Sequence, residues 1–129
     1  MAKSQGKIII HAGSEVWPHE LKTAEALISA GYSVEFLPKD EADNRHSADA
    51  LIDGIVFEMK SPESSHLSVV DKNIKKALSQ SCNIVFDSKR MKNAKDEQVL
   101  HELEKSISSR RKIKSLIFVD KKRLVHKMK

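Results

Sequence analysis

The chain has 129 residues, 40% of them hydrophobic and 32% charged, as expected for one globular domain with a real core. Its net charge of +5 favours a polyanionic partner. A single cysteine excludes a disulfide framework and a cysteine-based zinc site, and no apolar run reaches the ~18 residues of a membrane span. We therefore expect a single domain over residues 1–129, compatible with a reducing cytoplasm and lacking a membrane segment.

Hydrophobic periodicity and turn residues predict alternating helices and strands. Pro18 suits the first turn of a helix, and Gly31 suits its left-handed end. In chain order the patterns predict a strand over 7–11, a helix over 18–30, a strand over 32–37, a polar loop over 39–47, a hairpin with arms 49–52 and 55–60, a helix over 67–80, a strand over 83–87, a basic loop over 88–94, a helix over 95–110, a strand over 113–119 and a short strand over 124–126. This order predicts an α/β fold with a mixed sheet of the α+β type.

The hairpin over 49–60 is the most informative stretch. Asp53-Gly54 is typical of a two-residue type I′ turn, which fixes the register of both arms. Because side chains alternate along a strand, Asp49, Glu58 and Lys60 are predicted to share one face, with Asp49 opposite Glu58. Two opposed carboxylates repel, so their pairing favours a bound cation.

A hard divalent cation held by oxygen ligands fits this pair of acids best. The sequence therefore favours a Mg²⁺, Mn²⁺ or Zn²⁺ site at Asp49 and Glu58, with Lys60 beside it. The alternative is a solvated ribbon face on which Lys60 neutralises one of the acids.

The helix, strand, hairpin, helix, strand order with Asp-x8-Glu-x-Lys resembles the αβββαβ core of the PD-(D/E)XK, or restriction-endonuclease-like, nucleases. A longer pattern runs through His-Glu-x2-Thr-Ala-x2-Leu-x3-Gly-Tyr-x-Val at 19–34, Ala-Asp at 48–49, Asp-Gly-x3-Glu-x-Lys-Ser-Pro at 53–62 and Lys-Ala-x2-Gln at 76–80. Together they resemble the C-terminal tRNA-nuclease toxin domain of CdiA-type contact-dependent inhibition proteins. The remaining helix and strands would extend that core at its C-terminal end.

The resemblance implies roles for four residues. Asp49 and Glu58 would hold the metal, Glu20 would complete its ligand set, and Lys60 would orient or deprotonate the attacking water. It implies hydrolysis of phosphodiester bonds, in structured RNA such as tRNA rather than in DNA. It also implies delivery into the cytoplasm of a target cell and a cognate immunity protein. Ala48 departs from the motif, which has a proline before the acid.

Six further polar residues are candidates for substrate binding, and each has an alternative role. His19 fits a phosphate contact or a solvated position in the first helical turn. Serines in the 61–65 loop could bind phosphate, although capping the next helix is favoured. Gln80 could reach the acids or bind strand backbone. The six candidates are His19, Ser61, Ser65, Gln80, Lys89 and Arg90, the last two from the basic loop over 88–94.

Two other functions remain open at this stage. A metal-independent ribonuclease of the barnase, EndoU, colicin or RelE type would use His and Lys for acid–base cleavage and needs no paired acids. A non-catalytic, basic nucleic-acid-binding domain would need only the cations, nine of which lie in the last 21 residues. Cleavage that survives EDTA would favour the first alternative, and no cleavage under any condition would favour the second.

Overall fold

The computed structural model describes residues 6–38 and 49–129. Within these ranges the chain forms seven strands and three helices. They are β1 Ile8–Ile10, α1 Pro18–Ser29, β2 Val34–Phe36, β3 Ala50–Ile52, β4 Ile55–Lys60, α2 Ser68–Leu78, β5 Asn83–Asp87, α3 Asp96–Ser109, β6 Ser115–Val119 and β7 Val125–Lys127. No helix in these ranges is both long and apolar enough to cross a membrane.

The strands form one mixed sheet whose spatial order, β1 to β7, follows the order in the chain. The pairs β1–β2, β4–β5 and β5–β6 are parallel, and the other three pairs are antiparallel. Helices α2 and α3 make the two parallel crossovers in the centre. The carboxyl ends of β4, β5 and β6 therefore meet at one edge of the sheet. The loops that follow these strands carry polar side chains there.

Helices cover both faces of the sheet, which explains the two buried clusters. Helix α1 packs through Ala24 and Leu27 on the face that includes Phe57 and Val85. Helices α2 and α3 pack on the opposite face, which includes Ile84 and other alternate residues of the central strands. Glu58 is paired with Ile84 across β4–β5, so its side chain points to the α2–α3 face.

The predicted mixed sheet of the α+β type is confirmed, and so is every predicted element in the described ranges. The strand over 83–87 has the predicted bounds, and most other ends shift by one or two residues. The shifts reflect fraying, since terminal residues keep the element's pattern but lose its hydrogen bonds. The predicted polar loop over 39–47 lies outside the described residues.

Candidate active site

The β3–β4 hairpin has the predicted register. Ala50 pairs with Phe57 and Ile52 with Ile55, as a two-residue turn requires. Asp53 and Gly54 both have positive φ, 49° and 81°, as a type I′ turn requires. Asp49 directly precedes β3, and its Oδ2 accepts a hydrogen bond from the backbone N of Met59 at 3.0 Å. The turn thus brings Asp49 next to Glu58.

Glu58 is only 4% exposed, so the alternative of a solvated charged face is wrong for this residue. Burial, as the largest cause, and the neighbouring Asp49 carboxyl together raise the pKa of Glu58 to about 8. Lys60 acts in the opposite direction, with its Nζ 3.4 Å from Glu58 Oε2. The two acids therefore favour a shared proton, or another cation, between them.

Gln80 lies at the same point, just beyond the end of α2. With its amide nitrogen turned toward Glu58, Gln80 donates hydrogen bonds to both carboxylate oxygens, at 2.9 Å to Oε1. The helix end thus reaches the acid pair and does not satisfy strand backbone. An amide donor held against a buried carboxylate fixes its orientation, which helps preorganise a site.

The structure does not bring Glu20 to this pair. Its Oε1 accepts a hydrogen bond from the backbone N of Trp17 at 2.9 Å, which closes the first turn of α1. Among the described residues, no group of three or more His, Cys, Asp or Glu side chains could hold a metal ion together. The place of Glu20 in the cap of α1 accounts for this departure from the predicted three-acid set.

The remaining pair still fits a magnesium-like ion. Such ions are commonly bound by one or two carboxylates, with water and substrate phosphate completing the coordination. Asp49, directly before β3, and Glu58, on β4, supply two carboxylates, and the raised pKa of Glu58 reflects its burial and the neighbouring Asp49 carboxyl. The donor set is all oxygen, which suits Mg²⁺ or Mn²⁺ better than soft metals.

Four of the six predicted substrate-binding residues line one cavity of about 350 Å³. It lies at the carboxyl ends of β4 and β5, beside the first turn of α1, and we call it the strand-end cavity. Its lining residues are Pro18, His19, Lys22, Ser61, Asp87, Lys89, Arg90 and Arg123. Ser65 lines a neighbouring cavity that shares Lys89 and Arg90.

The serines after β4 do not cap α2, because the N-cap residue is Leu67 and no side chain caps it. Ser65 Oγ instead accepts a hydrogen bond from the backbone N of Asn93 at 3.0 Å, which anchors the basic loop. Ser61 Oγ is buried and has no hydrogen-bond partner among the described residues. The capping role favoured by the sequence is therefore wrong for these positions.

Sequence reasoning missed Asp87, the last residue of the apolar strand over 83–87. Asp87 is only 3% exposed, and its carboxylate binds the Arg123 guanidinium through two contacts of 2.9 Å. Thr23 Oγ1 on α1 also donates to Asp87. The only sequence signal was a carboxylate at the end of a central parallel strand, a common location for functional groups.

The model of the contact-dependent growth inhibition CdiA C-terminal domain matches residues 45–125, well over half of the chain. The chain belongs to the CdiA C-terminal domain family. It is therefore a toxin domain of the CdiA type.

One solved structure supports the same fold for this CdiA C-terminal domain. It is described as a "CdiA-CT/CdiI toxin and immunity complex from Burkholderia pseudomallei", and the similarity covers 96% of this chain and 99% of that one. The TM-score is 0.72 at 21% sequence identity, so the likeness concerns the fold. No curated protein sequence matches the chain.

Proposed function

We propose that this CdiA-type toxin domain is a metal-dependent nuclease that hydrolyses phosphodiester bonds, in structured RNA such as tRNA rather than in DNA. The observation that carries the proposal is the pair of half-buried Asp49 and buried Glu58, with Lys60 Nζ 3.4 Å from Glu58 Oε2. A fold that buries the Glu58 carboxyl beside a second acid loses stability at that point. Such a cost is typical of active sites.

The proposal includes the arrangement of the core. Strands β2 to β5 with helices α1 and α2 follow the αβββαβ order of the PD-(D/E)XK nucleases, with Asp49 directly before the second of those strands and Glu58 on the third. The remaining elements, α3, β6 and β7, would extend this core on its C-terminal side.

A divalent metal bound there would polarise the scissile phosphate and lower the pKa of a water molecule. Asp49 and Glu58 would hold the metal, and Gln80 would keep the Glu58 carboxylate in place. The Lys60 ammonium would stabilise negative charge on the phosphate, and its amine form would accept the proton of the attacking water. These side chains belong to rigid strands or to a helix end, which suits a site that must hold its geometry.

Recognition of the substrate would rest on phosphate contacts. His19, Ser61, Ser65, Lys89 and Arg90 are the residues proposed for this role. Cations that contact phosphates give affinity and orientation without reading bases. That mode suits an enzyme that recognises the shape of a folded RNA. The related complex also leads us to propose a cognate immunity protein for this toxin.

The test incubates the purified domain with tRNA, ribosomal RNA and plasmid DNA, with Mg²⁺, Mn²⁺ or Zn²⁺ or with excess EDTA. We expect RNA cleavage that depends on metal. Glu58→Gln and Lys60→Ala should each lower turnover at least about 10²-fold, because each removes a group that acts on the attacking water.

Lys112→Ala is the matched control, because Lys112 is exposed and precedes β6 at the opposite end of the sheet. Circular dichroism should show that all three variants fold. Cleavage that persists in EDTA, or in Glu58→Gln, would refute the metal mechanism and favour the metal-independent ribonuclease. Cleavage of plasmid DNA alone would refute the RNA substrate.

A further inference from the structure

We propose that the strand-end cavity is a phosphate-binding subsite that holds the RNA backbone one step from the acid pair, with Arg123 and Lys22 as its main unassigned ligands. The inference rests on the proposed nuclease function and adds a place where the substrate is held. The strand-end cavity lies on the face of the sheet opposite the acids. Substitutions in the cavity therefore leave Asp49 and Glu58 unchanged.

The charge of the cavity supports an anionic ligand. Lys22, Lys89, Arg90 and Arg123 bring four permanent positive charges to its lining, against the single carboxylate of Asp87. Arg90 also binds Glu63, whose side chain is 76% exposed. Exposed ion pairs contribute little free energy, so a phosphate could replace Glu63 at small cost. The cavity therefore keeps an excess of positive charge.

Arg123 is built into the cavity wall. It takes a positive φ of 67°, a backbone conformation that is unfavourable for a residue with a long side chain. Its Nη1 and Nη2 bind buried Asp87, which is itself held by Thr23 from α1. Among the described residues, the structure gives the Nε of Arg123 no partner. The Nε–Nη2 side of the guanidinium is thus available for a second, bidentate contact with a phosphate.

Ser61 links the cavity to the acid pair. It follows Lys60 directly, and adjacent residues on an extended chain point to opposite sides. Lys60 therefore lies with the acids, whereas Ser61 lines the cavity. The buried Oγ of Ser61 has no partner among the described residues, so a phosphate oxygen would satisfy it. A strand of RNA that leaves Lys60 around the end of β4 would meet this hydroxyl next.

The cavity continues in both directions as a basic groove. A second cavity shares Lys22, Lys89 and Arg123 and adds Glu25, and a third shares Lys89 and Arg90 and adds Lys92 and Glu63, so cations outnumber acids in both. A line of cations fits a polymer of phosphates better than a single small anion. Trp17 precedes Pro18 at the entrance and is 57% exposed, so its indole is free to stack on a base. This combination favours a nucleic acid backbone over an acidic protein.

The test compares Lys22→Gln/Lys89→Gln with wild type for binding of a single-stranded RNA oligonucleotide in EDTA, where the proposed chemistry cannot occur. Both lysines are exposed, so the fold should survive. Affinity should fall several-fold, and the slope of log affinity against log salt should decrease by about 1.4 for two lost phosphate contacts. Lys112→Gln/Lys114→Gln removes the same charge at the opposite end of β6 and should change both quantities much less.

Trp17 is the only tryptophan of the chain, so its fluorescence reports directly on ligands at this entrance. RNA should change the Trp17 emission of wild type and of the Lys112→Gln/Lys114→Gln control. In Lys22→Gln/Lys89→Gln the same change should need a higher RNA concentration. Arg123→Lys, which keeps the charge but loses the planar fork, should weaken RNA binding further when combined with the two lysine changes.

The outcomes separate this inference from the proposed function. Equal loss of affinity in the cavity variant and in the control would overturn the subsite, even if wild type cleaves RNA with metal. Unchanged RNA binding together with weakened binding of an immunity protein would overturn it in favour of an acidic protein partner. RNA binding that depends on the cavity, without metal-dependent cleavage, would support the subsite and refute the nuclease.

Discussion

At the scale of single residues, the ionised form of Glu58 destabilises the folded protein. Its carboxyl is buried beside Asp49, and burial is the largest cause of its pKa of about 8. The ordinary value is 4.5, so the folded protein holds a proton that the unfolded chain releases over this interval. Linkage then requires that this residue's contribution to stability is present at low pH and is lost as pH rises toward and through 8.

Replacing Glu58 with Gln should remove this pH dependence, because an amide does not ionise. In EDTA we expect Glu58→Gln to gain free energy of unfolding relative to wild type as pH rises from about 5 to about 8.5. Urea denaturation at a series of pH values measures the difference. Glu104→Gln, at an exposed position of α3, is the control and should show no such trend. A constant difference between Glu58→Gln and wild type would mean that Glu58 is ionised throughout.

The sequence could predict the face of Glu58 but not its burial. Period two and the Asp53-Gly54 turn are local, so they placed Asp49, Glu58 and Lys60 together without any tertiary information. The exposure of Glu58 depends on α2 and on Gln80, which is 22 residues away. The ion pair of Asp87 with Arg123 spans 36 residues and leaves no local pattern. Long-range contacts of this kind explain why the acid pair was predictable and the strand-end cavity was not.

At the scale of elements, the β3–β4 hairpin positions the candidate site, and its turn is tied to the rest of the sheet. Asp53 Oδ1 accepts a hydrogen bond from the backbone N of Ser33 at 2.8 Å, and the Asp53 N donates to the Ser33 O at 3.0 Å. Gly54 has a φ of 81°, and a Cβ added there would meet no atom within 4 Å. Any cost of a side chain at position 54 is therefore a cost of backbone conformation alone.

Gly54→Val should destabilise the domain by at least about 1–2 kcal/mol, because a β-branched residue adopts positive φ poorly. Gly54→Asn should cost less, since asparagine tolerates this conformation. Chemical denaturation of both variants measures the ranking. If Val and Asn prove equal, the turn relaxes to another type, and the register that brings Asp49 to Glu58 does not depend on residue 54.

Element boundaries show the same division between local and distant causes. Pro18 and the apolar stripe of α1 predicted that helix almost completely, because both are local features. The serines of the 61–65 loop suggested a cap for α2, but Ser65 binds Asn93 of the next loop instead. A short polar side chain satisfies whichever backbone group the fold brings within reach, and only the tertiary structure decides which one that is.

At the scale of the whole molecule, the two charged regions lie on opposite sides of the same strands. The acid pair faces the α2–α3 layer, and the cationic strand-end cavity adjoins α1. A net charge of +5 favours attraction of a polyanion, and the separation keeps the cations of the cavity from neutralising the acids. Lys60 is the cation adjacent to the acids, at the end of the strand that joins the two regions.

This arrangement predicts that metal binding and folding stability are linked through Asp49 and Glu58. Mn²⁺ or Mg²⁺ should raise the Tm of the nucleic-acid-free protein. The free energy of unfolding should increase by about 2.7 kcal/mol when the free metal concentration is about 100 times its Kd. Asp49→Asn should lose most of this shift. In EDTA it should raise the Tm at a pH above about 8, where Glu58 is ionised and repels Asp49. Differential scanning fluorimetry at several metal concentrations measures both effects.

Glu20→Gln completes the test, because it separates the two-acid site from the three-acid set that the family resemblance implies. Because a glutamine oxygen can accept the same hydrogen bond from the backbone N of Trp17, as Gln98 does from Lys95 in α3, the replacement should change the Tm little, with or without metal. The metal-induced shift itself should persist at wild-type size. Loss of that shift in Glu20→Gln would mean that the carboxylate leaves the helix cap to bind the ion. Persistence of the shift in Asp49→Asn would instead place the metal elsewhere and remove the main support for a hairpin-based site.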